Sequence, residues 1–125
     1  MKKVIQTQDA PFSPGLLSQA IEVDGLVFTS GQIHIDNEFQ LVGDTIEEKT
    51  RKVMDNLKAV LTAVDLGFDD VIKVTVYLID MKEYSNFTEV YVTFFNKPMP
   101  AREVVCVKEL PMGASVEVSL IAKKS

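Results

Sequence analysis

The chain has no tryptophan, a single histidine (His34) and a single cysteine (Cys106) among its 125 residues. Each scarcity removes a class of chemistry. One cysteine cannot close an intrachain disulfide, which fits a reducing, cytoplasmic compartment. One histidine and one cysteine cannot build a zinc centre without several carboxylates. A histidine-containing triad would have to use His34, and no serine or aspartate stands in a recognisable pattern around it. Neither a Gly-x-Gly-x-x-Gly string nor a P-loop occurs, so nothing cradles a nucleotide phosphate. The expectation is chemistry without metal or cofactor, or no chemistry at all. No apolar run approaches the ~20 residues of a membrane span, and no signal-type segment opens the chain, so no membrane partner is expected.

Basic clusters are also missing. Thirteen Lys and Arg stand against 18 Asp and Glu, a formal net charge of -5. The basic residues are scattered, in runs no longer than the pairs Lys2-Lys3, Arg51-Lys52 and Lys123-Lys124. Such a surface repels a phosphate backbone, which disfavours nucleic acid as a partner.

What is present is ordinary globular material, 46% hydrophobic and 25% charged. There is no repeat or linker, so residues 1–125 read as one domain. Residues 3–7 suggest a short strand, and Pro11 and Pro14 force a loop after it. Runs at 19–23 and 26–30 flank Asp24-Gly25, the dipeptide of a type I′ hairpin turn. Residues 31–44 read as a long polar connection. Thr45 and Glu48 form a capping box, and Ile46, Val53, Leu57, Val60, Leu61 and Val64 line one side of a helix of about six turns stopped at Gly67. In the strand 71–79, Ile72, Val74, Val76 and Leu78 are expected on one face and Lys73, Thr75 and Tyr77 on the other. A second helix is expected over 83–95, its Phe87, Val90, Tyr91, Phe94 and Phe95 forming a core stripe. Strands near 102–109 and 115–122 follow, joined by a turn at Pro111-Met112-Gly113.

The order βββαβαββ, with one apolar face per helix, predicts an α+β fold with both helices on one side of a mixed sheet. The second face is expected to carry Tyr77, Val104, Cys106 and Ile121 among Lys73, Thr75, Glu117 and Ser119. That mixture suits a partly wet interface between subunits holding a small polar site.

Among single residues, His34 reads as a surface histidine without a catalytic task and Cys106 as a buried, inert thiol. Arg102 is fixed by the extended lead-in Pro100-Ala101 and alternates with Glu103, which sets it on a largely apolar face. A guanidinium there needs an anion. Two readings stand: a salt bridge to a carboxylate such as Glu117, or a bidentate clamp for a ligand carboxylate. Glu117, between Val116 and Val118, is expected on the same face. It is either that structural partner, a rim charge at a subunit interface, or a group that positions water and moves protons.

The strings Ser18-Gln19-Ala20, Thr29-Ser30-Gly31-Gln32-Ile33, Asn56-Leu57-Lys58-Ala59-Val60-Leu61 and Val71-Ile72-Lys73-Val74-Thr75-Val76-Tyr77-Leu78 resemble the RidA (YjgF, L-PSP) family. So do Tyr91 with Phe94-Phe95, Pro100-Ala101-Arg102, Leu110-Pro111 and Val116-Glu117-Val118, and the match runs in order along nearly the whole chain. The resemblance implies a chorismate-mutase-like fold, a homotrimer with ligand clefts between subunits, and hydrolysis of enamines and imines such as 2-aminoacrylate to keto acid and ammonia. It implies that Arg102 clamps the substrate carboxylate with the Val104 amide, that Glu117 orients water, and that Ser30 and Gly31 line the cleft. Three positions depart from the common pattern: Leu17 stands where many members have tyrosine, Thr88 where some have asparagine, and Val104 where some have cysteine. Two further readings go with the resemblance, a non-catalytic module binding small carboxylates and an endoribonuclease or translation inhibitor.

Overall fold

Asp24 and Gly25 both take left-handed backbone angles, φ 52° and 80°, the geometry a type I′ turn requires. They join β2 (Ala20–Val23) to β3 (Leu26–Thr29), and β1 (Lys3–Ile5) adds to the outer side of β2. The computed structural model describes residues 1–125. The connection expected over 31–44 is not wholly irregular, because Gln32–Ile33 form a short β4 that pairs with the last strand.

Helix α1 spans Ile46–Thr62. Its capping box is formed: Thr45 Oγ1 accepts from the Glu48 amide at 3.2 Å, and Glu48 Oε1 accepts from the Thr45 amide at 3.0 Å. These bonds and one from the Asp44 amide hold the Glu48 carboxyl below its ordinary range. The helix stops before Gly67. The reversal is made by Asp65 at φ 60°, with Leu66 N–H donating to Leu61 O and Asp65 N–H to Thr62 O, both at 3.0 Å. That bond pair is a Schellman close, and aspartate is among the few residues tolerated there.

Strand β5 runs Val71–Leu78. A bulge between Val71 and Lys73 shifts its first residues, so Val71 is buried and Ile72, expected in the core, is exposed. The extra residue reverses the alternation locally. Helix α2 is Tyr84–Tyr91, flanked by single 3-10 turns at Met81–Glu83 and Val92–Phe94, and is shorter than the 83–95 expected. Strands β6 (Ala101–Cys106) and β7 (Val116–Lys123) complete the chain.

The sheet order is β1-β2-β3-β7-β5-β6, with β4 also on β7. Only β5 and β6 are parallel. Both helices cover one face. There Val53, Met54, Leu57, Val60 and Leu61 of α1 and Phe87 and Tyr91 of α2 meet Val74, Val76, Leu78, Val118 and Leu120 in one core. The α+β layout read from the sequence is therefore the observed one. No helix is long and apolar enough to cross a membrane.

One expectation about the faces fails, with consequences for the site. Arg102 lies in register with Val74, Val104 with Val76 and Cys106 with Leu78, so all three point to the helix side. Tyr77, Lys73, Thr75, Glu117, Ser119 and Ile121 occupy the open face, as expected. Alternation along β6 is correct, but its phase is set by pairing with β5, which the local pattern does not encode. Cys106 is exposed rather than buried.

Asn56, 1% exposed, donates from Nδ2 to Ile33 O at 3.2 Å and Ile35 O at 3.0 Å, fastening α1 to β4. Removing its amide takes the partner from the Ile35 carbonyl, whereas Ile33 O keeps the Ile35 amide at 2.9 Å. Asn56→Ala is expected to lower unfolding stability by about 1–3 kcal/mol in a urea titration; an unchanged midpoint contradicts this role.

Candidate active site

The seven residues singled out from the sequence fall into two groups on opposite faces of the sheet. Glu117, Ser30, Gly31 and Leu17 line a cavity of about 300 Å³ at the end of β4, together with Phe12, Met112 and others. Arg102, Thr88 and Val104 stand on the helix side of the edge strand β6.

The first group is built by pinned loops. Gln19 is fully buried, and its Nε2 donates to Thr7 O, Ala10 O and Pro11 O at 3.0–3.1 Å while Oε1 accepts from the Thr7 amide at 2.7 Å. This folds the proline-containing loop so that Phe12 reaches the cavity. Ser30 is fixed by its amide on Gln19 O at 2.9 Å and its hydroxyl on Ser18 O at 2.6 Å. Its hydroxyl proton is thus committed, and what it offers the cavity is its oxygen.

Gly31 permits a close approach. A β-carbon there would lie 2.8 Å from Glu117 Cδ and 3.1 Å from its Cγ. The Glu117 carboxylate packs directly over that α-carbon, half-buried and in neither of the protein's two salt bridges. Burial pushes its proton affinity above the ordinary carboxyl value, with no opposing cation. A carboxyl so placed exchanges protons nearer neutral pH.

The second group centres on a cation without a carboxylate. Arg102 Nη2 donates to Tyr84 Oη at 2.7 Å and Nη1 to Thr88 Oγ1 at 3.4 Å. The guanidinium carbon lies 4.9 Å from the centre of the Tyr91 ring and 5.5 Å from that of Tyr84. Residues 84, 88 and 91 follow one another at four- and three-residue steps, so α2 presents them as one stripe. Ring faces and hydroxyls hold a guanidinium in place without neutralising it. Tyr91 is buried, which raises its phenol to about 12 and keeps it neutral. Neighbouring Glu103 is taken by Lys73 at 2.6 Å on the open face.

The salt bridge between Arg102 and Glu117 that the sequence left open does not form, because the two side chains leave the sheet on opposite sides. Tyr84, which the sequence does not single out, and Tyr91, read there only as core, hold Arg102; the stripe facing an edge-strand arginine is the signal. His34, expected at the surface, is 2% exposed and bonded through both ring nitrogens. No group of three or more His, Cys, Asp or Glu side chains converges as a metal site would require.

Gly31→Ala is expected to displace the Glu117 carboxylate into water. Its titration, followed by carboxyl NMR, should fall back towards the ordinary glutamate value. An unmoved Glu117 signal would contradict the contact.

Comparison with known proteins agrees with this architecture. The model of the family described as "Endoribonuclease L-PSP" matches residues 7–124. A RutC family protein of Pyrococcus horikoshii is 43% identical over 125 residues, covering 99% of each chain. The 2-iminobutanoate/2-iminopropanoate deaminase of Mus musculus is 38% identical over 123 residues, covering 98% of this chain and 91% of that one. The crystal structure of E. coli TdcF with bound serine superposes with a TM-score of 0.91 at 34% identity, covering 98% and 99% of the two chains. With its two helices on one face of a mixed sheet and a match running nearly end to end, the chain belongs to the L-PSP (Rid, RidA/YjgF) family and has its chorismate-mutase-like α+β fold.

Proposed function

We propose that the protein hydrolyses 2-imino acids and their enamine tautomers to 2-keto acids and ammonia, without cofactor, at a site completed by a second copy of the chain in a homotrimer. The observation that carries this reading is Arg102, a half-buried cation held by two hydroxyls and two rings and matched by no carboxylate. A small ligand's carboxylate supplies the missing charge. Thr88 and Tyr84 keep the fork oriented, and the Val104 amide adds a donor beside it. Self-association is supported by the open face, where Phe28 and Val105 are about 40% exposed beside Tyr77 and Ile121. A head-to-tail contact closing a ring would set one copy's Arg102 against the next copy's Glu117 cavity.

In such a site the carboxylate of R–C(=NH)–COO⁻ binds Arg102 and C2 faces Glu117. Glu117 takes a proton from water as the oxygen adds to C2. That proton passes to nitrogen to give the carbinolamine; Glu117 then carries the carbinolamine hydroxyl proton to nitrogen, the C–N bond breaks, ammonia leaves and the carbonyl forms. Water and imine account for every atom of the products. The imine is already electrophilic, so positioning and one proton carrier suffice. The imine-deaminase name of the mouse relative and the serine bound to TdcF support a small amino-acid-derived carboxylate as ligand. The absence of a disulfide partner for Cys106 suits a reducing cytoplasm.

A second reading, a module that binds carboxylates without turning them over, is favoured by Leu17, which puts an alkyl group at the cavity wall where a hydroxyl would serve catalysis. The ribonuclease reading is weakened because the sole histidine is committed inside the fold.

When 2-aminoacrylate is generated in situ, the protein is expected to accelerate its disappearance. Arg102→Ala and Glu117→Gln should each lower that rate by about 10²–10³-fold. No acceleration, with keto acids still bound, favours the binding module. RNA cleavage by highly purified protein that a point change abolishes favours the ribonuclease.

The pH dependence has a definite sign. The folded state holds the Glu117 proton more tightly than the unfolded chain does. Stability should therefore fall as pH rises from the ordinary carboxyl value through the raised one. Glu117→Gln should raise Tm at pH 7 and leave it unchanged well below pH 4; an equal effect at both contradicts the raised affinity.

A further inference from the structure

We propose that His34 is a positioning residue for Glu117: its neutral ring fixes the Gly31 segment against the start of β7, and protonation of the ring releases that hold. The consequence for catalysis rests on the reading above, whereas the tie itself does not.

The geometry assigns the ring's state. Nε2 lies 2.9 Å from the Ser115 amide nitrogen, a donor, so Nε2 must offer a lone pair. Nδ1 lies 3.0 Å from Val42 O, an acceptor, so Nδ1 carries the proton. Both nitrogens of a fully enclosed imidazole are thus used, and only the neutral Nδ1–H tautomer satisfies both partners. A second proton would point N–H at N–H across the Ser115 contact.

Three elements meet at this ring. Val42 belongs to the segment leading into α1. Ser115 precedes β7, and its Oγ is 3.0 Å from Lys49 Nζ of α1. His34 itself follows β4 directly. Burial opposes a positive imidazole, and Lys49 is the charged group that adds to it.

The path to Glu117 is short. Ser115 stands two residues before Glu117 in the chain, at the lead-in to β7. On the other flank, Gly31 is three residues before His34 and lies under the Glu117 carboxylate. Between them β4 supplies only the pairs Gln32–Val118 and Ile33–Glu117. A strand of two residues holds register weakly. His34 adds a fixed point where β4 ends, so the spacing between Gly31 and Glu117 depends on it.

Stability carries the same sign. The folded state disfavours protonated His34, so stability is full above the ordinary histidine value of 6.5 and is lost as pH falls from there through the lower folded value.

Because the chain has one histidine, its ring signals in NMR are assigned without ambiguity. At pH 7.5 the ¹⁵N spectrum should show the Nδ1–H tautomer. In the Glu117→Gln protein, where the nearby carboxyl no longer titrates, the Ser115 and Gly31 amide signals should move together with the ring's midpoint as pH falls. In His34→Gln, which keeps an amide acceptor but no titrating ring, neither signal should move at that pH. An Nε2–H tautomer, or Gly31 passing unmoved through the ring's midpoint, overturns the proposal. If either variant is unfolded, the wild-type tautomer and the joint movement of Ser115 and Gly31 decide it. The readout needs no substrate, so a protein inert towards imines would remove the deaminase reading and leave this tie to be judged on its own.

Discussion

A guanidinium partly withdrawn from water must be compensated, and Arg102 is compensated only by rings and hydroxyls. Those groups orient the charge at small cost and leave it electrically unmatched. Two of its five N–H donors are used, which leaves a planar fork available to an anion. The nearby glutamates do not intercept it. Glu103 is paired with Lys73 on the open face, and Glu117 leaves that same face from a different strand. Edge strand, helix stripe and ion pair together keep one cation unspent.

Glu117 has the opposite problem. It is a carboxylate under partial burial with no cation beside it, so its proton affinity rises. Its position depends on a glycine that lets the carboxylate approach the backbone, on a two-residue strand, and on the buried ring of His34. Within one chain the free cation and the free carboxylate face away from each other. In the proposed ring each would line the same cleft, Arg102 at the substrate's carboxylate and Glu117 at its C2.

Much of this was legible in the residues. Asp24-Gly25, the Thr45–Glu48 box and the alternation along β5 and β7 are local signals, and they gave the hairpin, α1 and the strands nearly in place. The candidate residues fall at two places in the fold, around Glu117 and around Arg102. What failed was long-range. The phase of β6 depends on which strand it pairs with, so Arg102 and Glu117 were put on one face when they occupy two. The bulge at Val71–Lys73 and the close at Asp65 come from sheet and helix packing rather than from any breaker residue. His34 looked exposed because its polar neighbours Asp36 and Asn37 dominate the local string; both of its partners, eight and 81 residues away, are brought to it by the fold.

The claim that the site is shared between copies has a direct measurement. Arg102→Ala and Glu117→Gln proteins, each inactive alone, are unfolded together in equal amounts, refolded, and assayed for imine hydrolysis. A head-to-tail ring places an intact Arg102 opposite an intact Glu117 at about one site in four, so about a quarter of wild-type activity should return. A mixture as inactive as its components would mean that both groups must come from one chain, which contradicts the account.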